Sequence, residues 1–536
     1  MMRIFKNILL FILLYCIQCN CTVYSQEKDM TKNSQKNRSI TIDIRKKVGR
    51  YDTFHNMCVS TGRAYLLLRQ DHQEHILKAA QECGFQYLRF HGLFQEDIGL
   101  YRENAAGEAI YSWQYIDKVY DFIYDIGLRP FVVFDFMPEA LASGKKYIYW
   151  EHSNITPPKD YKKWGDLIYE TVKHFTERYG QEEVSQWFFE VWNEPDKNFF
   201  TGTIDIYLKM YEYAAQAVKS VSENYRVGGP SIAGNNHWIS RLIEYCNKKD
   251  IPLDFISAHN YSAKTFSEEK TYKTWEVPSI PSWEPGPSWP LGNLRYDPHG
   301  TTEAIENVYR TVQSSPIPTL DVHYTEWGLS WDYWDPIRDS YQAPSFILSR
   351  INSIANDRIK SLSYCMVSDV FEEDGPPTDY FHGGFGLINL QGLRKPAYFA
   401  YKFLNELGNT KLECSDKNTI ACCSGNDSIQ ILFWDCTVRQ DKENKAYYAQ
   451  STPALPAGTT KVSFSGLTPG IYQLTLYRVG YRSNDAYSHY LDIKHNNNLT
   501  RSQIKQLDKL CNGSPEQTST LEITPDGNFS FQTPIK

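Results

Sequence analysis

Two glutamates stand where carboxylates can work as a pair. Glu194 lies in Trp187-Phe188-Phe189-Glu190-Val191-Trp192-Asn193-Glu194-Pro195-Asp196, an aromatic run that reads as a buried strand and stops where Pro195 removes a backbone donor. Glu326 closes a second strand-like run in His323-Tyr324-Thr325-Glu326-Trp327-Gly328. Glutamate is ordinarily a surface residue. The run before Glu194 is too apolar for an exposed strand, so its carboxylate is expected at the rim of a buried sheet, beside the Asn193 amide. Facing one another across a barrel mouth, two carboxylates suit glycosidic cleavage: one protonates the leaving oxygen, the other attacks or activates water. A separation of about 5–5.5 Å would make the second a nucleophile and the reaction retaining. As a metal site the pair would need His or Asp at neighbouring strand ends in ligand geometry, and the sequence is read as holding no metal.

The elements that must carry this pair alternate along the chain. Strands are predicted at Phe54–Val59, Phe85–Phe90, Phe131–Phe136, the run before Glu194, Arg226–Pro230, Leu253–His259, Leu320–Glu326 and Leu362–Asp369. Helices are predicted at Asp71–Cys83, Trp113–Ile126, Tyr161–Tyr179, Ile204–Ser222, Trp238–Asn247, Thr302–Val312, Ser345–Asn356 and Tyr398–Leu407. This is the α/β pattern of a (β/α)8 TIM barrel over residues 53–407, with functional side chains at the carboxyl ends of strands. An open doubly wound sheet would bring a Gly-rich phosphate turn after an early strand, and the chain has none. From Gly408 the texture changes to short strands between Asn, Gly and Pro turns, predicting an accessory antiparallel β-sandwich over residues 408–536. Residues 39–52, opening on the alternating Ser39–Ile44, are expected to add a strand to it. With no low-complexity linker, the two units are expected to pack closely, the sandwich bracing the barrel.

Composition narrows the partners. Aromatics make up 15% of the chain, with 38 Tyr and 13 Trp, and flat apolar rings stack well on sugars. A net charge of -7 argues against nucleic acid or anionic lipid as the main partner. Residues 1–25 read as an export signal, in which Arg3 and Lys6 precede an apolar run from Ile8 to Ile17 and Val23-Tyr24-Ser25 offers a cleavage site. That run is shorter than the ~20 residues of a membrane anchor. The chain is therefore expected to be exported, periplasmic or extracellular, with no transmembrane span. Cys19 or Cys21 is a candidate for lipid attachment, although Ile17-Gln18 makes a poor lipoprotein box. Residues 26–38 are polar and expected to be disordered. The cysteines beyond the signal show no zinc spacing. A disulfide among Cys414, Cys422, Cys423 and Cys436 is open to an exported chain, and homo-oligomerisation is left open.

Several blocks in order resemble glycoside hydrolase family 39, the β-xylosidases and α-L-iduronidases. They are Arg89-Phe90-His91-Gly92, Phe136-Met137-Pro138, Trp192–Asp196, Asp254–Tyr261, Thr325-Glu326-Trp327, and Phe371-Glu372-Glu373 through His382–Leu387, spanning about Phe54 to Tyr401. The resemblance implies a barrel plus β-sandwich, Glu194 as general acid/base and Glu326 as nucleophile. Glu194 must then stay protonated near neutral pH, which burial and the charge of Glu326 would favour. His91 is implied to bond sugar hydroxyls and Glu372 to bind xylose. Asn193 can donate to the sugar 2-hydroxyl, Phe136 can line the subsite wall, and His259 and Tyr261 follow strand six, where Tyr261 can donate to Glu326. The chain departs from the xylosidases at Trp331, where they align a tyrosine five residues after the nucleophile.

The implied activity is an exported retaining β-xylosidase that releases xylose from the non-reducing end of xylo-oligosaccharides with no cofactor. The alternatives are another sugar (a uronic acid, β-glucoside, β-galactoside or α-arabinoside) or a non-catalytic carbohydrate-binding barrel. A uronic acid would need a fixed Arg or Lys beside the sugar carboxylate, and Arg89 is read as pointing along its strand. The retention of both glutamates weighs against a non-catalytic protein. The loop Ser262–His299, with Trp275, Trp283 and Trp289, is expected to shape further subsites or to cover the barrel.

Overall fold

The strands that carry the site are apolar on both faces because both faces are covered. Phe131, Val132, Val133 and Phe134 are all buried, half against the barrel interior and half against the surrounding helices. The computed structural model describes residues 13–14, 36–265 and 294–535, apart from 356, 378, 426–427, 437–443, 455–457 and 494–497. Eight parallel strands close the barrel: β1 (Cys58–Ser60), β2 (Tyr87–Phe90), β3 (Arg129–Phe134), β4 (Phe188–Val191), β5 (Arg226–Ile232), β6 (Phe255–Tyr261), β7 (Asp321–Gly328) and β8 (Ser361–Cys365). Around them lie α1 (Gln70–Cys83), α2 (Gln114–Asp125), α3 (Tyr161–Tyr179), α4 (Ile204–Val221), α5 (His237–Lys249), α6 (Gly300–Gln313), α7 (Ala343–Ser353) and α8 (Pro396–Asn405). Local chemistry sets the helix ends. Asp160 accepts the Lys162 and Lys163 amides at 2.9 and 3.1 Å to start α3, and Gly84 at φ 69° closes α1.

Two predicted strands shorten. Phe54–Asn56 forms a 3-10 turn ahead of β1, because its apolar character comes from burial in a corner rather than from a pleat. The predicted eighth strand leaves the sheet after Cys365, and Asp369 pairs with Lys395 instead.

The barrel floor is aromatic. Phe131, Phe188, Phe255 and His323 pack with ring centroids 4.8–5.7 Å apart. Burial pushes the His323 imidazole down to about 3, so it stays neutral in this plug. Gly228 leaves room for it: a Cβ there would lie 2.3 Å from the Phe255 carbonyl. The floor forces the working residues upward, to the carboxyl ends of the strands.

The accessory unit is a sandwich with one departure from expectation. Lys36–Arg50 inserts into a six-stranded sheet, antiparallel to Thr410–Cys414 but parallel to Gly458–Ser465, so the sheet is mixed rather than wholly antiparallel. A strand entering from ahead of the barrel is not hairpin-linked to its neighbours, so nothing fixes its direction. Gly470–Arg478 and Gln517–Ile523 form a second layer, and Tyr472 and Ile523 pack with Ile42, Ile431 and Phe464. Thr419–Ser424 is covered on both faces. Cys422 packs with the barrel core and Cys423 with the sandwich core, which explains how adjacent cysteines are both buried. Trp434 fastens the units by donating to Ser349 of α7 at 2.8 Å.

All nine described cysteines are free thiols, Cys414, Cys422, Cys423 and Cys436 among them, so the candidate disulfide is not formed. Among the described residues no helix is long and apolar enough to cross a membrane. Of residues 1–35, only the pair Leu13–Leu14 is described, beside Tyr477–Arg478. The remainder of the expected signal and most of the polar segment after it lie outside the described residues, as do Trp275, Trp283 and Trp289.

Candidate active site

Glu194 is presented by a strained turn. Trp192, Glu194 and Ser231 take φ values of 71°, 44° and 55°, left-handed conformations that cost about 1–3 kcal/mol each and survive only where the surroundings fix them. The surroundings do so here. The Glu194 amide donates to the Ser231 carbonyl at 3.0 Å, and Asp196 accepts the amides of Ala233 and Asn235 at 2.8 and 3.1 Å. The loop after β4 is thereby bolted to the loop after β5.

Glu326, near the end of β7, faces Glu194 across the mouth. Both are nearly buried, at 7% and 8% exposed. One oxygen of each, together with a His259 ring nitrogen, lies within 4.8 Å of the others. His259 Nδ1 meets Glu194 Oε1 at 2.8 Å, and the Tyr261 hydroxyl donates to Glu326 Oε2 at 2.7 Å. Three such donors could hold a metal ion. Here they are already engaged, and a cation would have to displace Tyr261 and Arg89 from Glu326.

Arg89 lies beneath the pair, fully buried. Its guanidinium donates to Glu190 at 2.7 Å, Glu326 at 2.8 Å, Asn193 at 2.8 Å and Ser231 at 3.2 Å. It points into the barrel rather than along the strand, correcting the sequence reading. Because Asn193 gives its oxygen to Arg89, its NH2 is left to face the mouth. An Arg89→Met variant would take from Glu190 and Glu326 the buried cation they share. It is expected to lose about 3–5 kcal/mol of stability, read from denaturant unfolding.

These surroundings separate the two carboxylates electrostatically. Burial pushes Glu194 upward, aided by the charges of Glu326 and Asp196, although its bond to His259 pulls the other way. Burial alone would raise Glu326 as well. His259, Arg89 and His91, with the Tyr261 hydrogen bond, outweigh it and hold Glu326 down at about 2. One group is thus poised to keep a proton and the other to stay ionised, the division that acid-plus-nucleophile chemistry needs.

The remaining predicted residues are distributed unevenly. His91 is buried at the end of β2, its Nε2 3.5 Å from Glu373 and 3.7 Å from Glu326 and its Nδ1 3.6 Å from Asp135. Burial opposes its charge, but these three carboxylates raise it to about 9. Phe136 stacks on His91 at 6.2 Å and meets Trp192 edge-on at 5.7 Å, forming one wall. Glu372 is turned away: it accepts from Arg69 at 2.9 Å. The pocket glutamate is its neighbour Glu373, its side chain 9% exposed beside His91 and accepting from the Tyr333 hydroxyl at 2.8 Å. Burial pushes Glu373 up to about 8. Trp331 is half-buried against the barrel core, and Tyr333 brings the hydroxyl to this side of the pocket. Arg89, Glu190, Ser231, Glu373 and Tyr333 were all missed as site residues in the sequence.

Comparison with known proteins identifies the family. Residues 38–278 and 296–526 match the model of glycosyl hydrolases family 39. The chain is 38% identical over 391 residues to a β-xylosidase of Geobacillus stearothermophilus, covering 72% of this chain and 74% of that one. It is 38% identical over 410 residues to a β-xylosidase of Caldicellulosiruptor saccharolyticus, covering 74% and 78% respectively. The crystal structure of the family 39 enzyme from Xanthomonas axonopodis pv. citri superposes with a TM-score of 0.85 at 31% identity, over 94% of this chain and 97% of that one. The chain therefore belongs to glycosyl hydrolases family 39, and it is a glycosidase that hydrolyses O-glycosyl bonds.

Proposed function

We propose that this glycosidase is a retaining β-xylosidase acting by double displacement, with Glu194 as acid/base and Glu326 as nucleophile. The approach of one Glu194 oxygen to one Glu326 oxygen within 4.8 Å, with burial raising Glu194 and the cations around Glu326 lowering it, carries this reading, since inverting enzymes keep their carboxyls about 6.5–9.5 Å apart to admit a water. Glu326 attacks the anomeric carbon while Glu194 gives its proton to the leaving oxygen. Glu194, now ionised, then takes a proton from the water that displaces the sugar from Glu326. The Asn193 NH2 suits the sugar 2-hydroxyl, and His91 and Glu373 suit hydroxyls further round the ring. The likeness to two β-xylosidases supports xylose. A uronic acid is disfavoured because the buried guanidinium of Arg89 is spent on Glu190 and Glu326 beneath the site and is not free for a sugar carboxylate. We further propose that the segment before Lys36 directs export, which cell fractionation checks.

Hydrolysis of p-nitrophenyl β-xyloside, β-glucoside, β-galactoside, α-arabinoside and α-iduronide side by side tests the sugar, with β-xyloside expected to dominate. A chelator such as EDTA is expected to leave the rate unchanged, and loss of activity restored by added metal would revive the three-donor site as a metal centre. The pH dependence has a definite sign. Glu326, held at about 2, stays ionised throughout the working range, so kcat/KM should fall as pH rises through the raised value of Glu194. An acid limb set by Glu326 would appear only at extreme acidity.

A further inference from the structure

A chain of buried hydrogen bonds joins the two carboxylates from below, and no step above uses it. Glu194 Oε1 meets His259 Nδ1 at 2.8 Å, and His259 Nε2 meets Thr325 Oγ1 at 3.1 Å. Thr325 donates to Glu190 Oε1 at 2.9 Å, Glu190 Oε2 accepts from Arg89 at 2.7 Å, and Arg89 donates to Glu326 at 2.8 Å. His259 is 2% exposed, and Thr325, Glu190 and Arg89 are fully buried, so water does not compete for these bonds.

The chain has a direction. A carboxylate only accepts, and a threonine hydroxyl has one hydrogen to give. Given to Glu190, that hydrogen leaves Thr325 Oγ1 as an acceptor, so His259 Nε2 must carry a hydrogen. Ser231 Oγ, 2.9 Å from Nε2, fits as a second acceptor. Two bare lone pairs cannot face each other at 2.8 Å, so the contact between His259 Nδ1 and Glu194 needs a proton of its own. In the other tautomer the single imidazole hydrogen would sit on Nδ1, satisfy an ionised Glu194, and leave no proton for the leaving group.

We propose that Glu190, acting through Thr325, is a positioning residue that fixes the Nε2–H form of His259 and so obliges the Glu194–His259 pair to keep the proton delivered to the leaving oxygen. This rests on the reading of Glu194 as the acid. Glu194 also faces Glu326, Asp196, Tyr149 and Tyr261. His259 also faces Glu326 at 3.6 Å, and Glu190 faces Arg89, Tyr207 and Cys58. None of these is altered by a change at Thr325.

Thr325→Val removes the hydroxyl and keeps the shape. Ser231 can then turn its own hydrogen toward Nε2 and release the tautomer. In the full-length enzyme, the basic limb of kcat/KM for an alkyl glycoside is expected to move down by about one pH unit, which is about a tenfold loss at pH values well above the wild-type limb and little change well below it. A 2,4-dinitrophenyl glycoside, whose leaving group needs no proton, should change less than about twofold. Thr325→Ser should restore the wild-type profile. Glu190→Gln, whose amide would donate to Thr325 and reverse the chain, should repeat the Val result if it folds. An unmoved basic limb in Thr325→Val, equal losses for both leaving groups, or a Ser variant that behaves like Val would overturn the proposal. The reading of Glu194 fails separately: full activity of Glu194→Ala on the alkyl glycoside would sink it, whatever Thr325 does.

Discussion

Replacing Glu326 with Ala is expected to lower kcat on a p-nitrophenyl glycoside by a factor on the order of 10⁴ or more while the protein stays folded. The magnitude follows from the loss of a covalent step for which the pocket has no substitute. Glu373 shares His91 with Glu326, but it is pushed up to about 8, so it is a poor nucleophile at neutral pH. The fold should survive because Arg89 keeps Glu190, Asn193 and Ser231 as partners. Small anions such as azide should enter the vacated space and restore turnover, giving a product of inverted configuration. Retained wild-type activity would remove Glu326 from the mechanism.

Glu194→Ala should behave differently. Its first step loses only proton donation, a contribution of about 10²–10⁴-fold that matters most for poor leaving groups. An activated aryl glycoside should therefore still load the enzyme, with a burst of nitrophenol followed by slow turnover, because no base remains to activate water. An alkyl glycoside should be almost inert. Azide should restore turnover of the activated substrate with retained configuration, the opposite stereochemistry to the Glu326 variant. Equal losses on activated and unactivated substrates would argue that Glu194 is merely structural.

The barrel and its two facing glutamates could be read in the sequence because they rest on strong local signals: long apolar runs broken at Asn-Glu-Pro and after Glu326, with helical periodicity between them. Arg89 was misread although a signal for it existed. Tyr87 belongs to the barrel floor, and two residues further on a strand returns to the same face, so Arg89 points inward one layer higher. The same parity takes Phe188 to Glu190, and opposite charges at matched levels of neighbouring strands mark a buried pair. The choice between Glu372 and Glu373 carried no such signal. The loop after β8 has no period, and Arg69 from before α1 and Tyr333 from the loop after β7 decide which carboxylate enters the pocket. The parallel pairing of Lys36–Arg50 was equally hidden, since strand direction depends on a partner more than four hundred residues away in sequence.

The central claim, that Glu326 attacks the sugar, is tested most directly by covalent trapping. In a 2-deoxy-2-fluoro-β-xyloside with a good leaving group, the fluorine slows both steps and the leaving group speeds only the first, so the glycosyl-enzyme accumulates. Digestion and mass spectrometry of the labelled protein then locate the sugar. The predicted result is one adduct per chain, on the peptide containing His323-Tyr324-Thr325-Glu326-Trp327 and borne by Glu326. A label on any other residue, or no covalent adduct alongside an inverted product, would contradict the account.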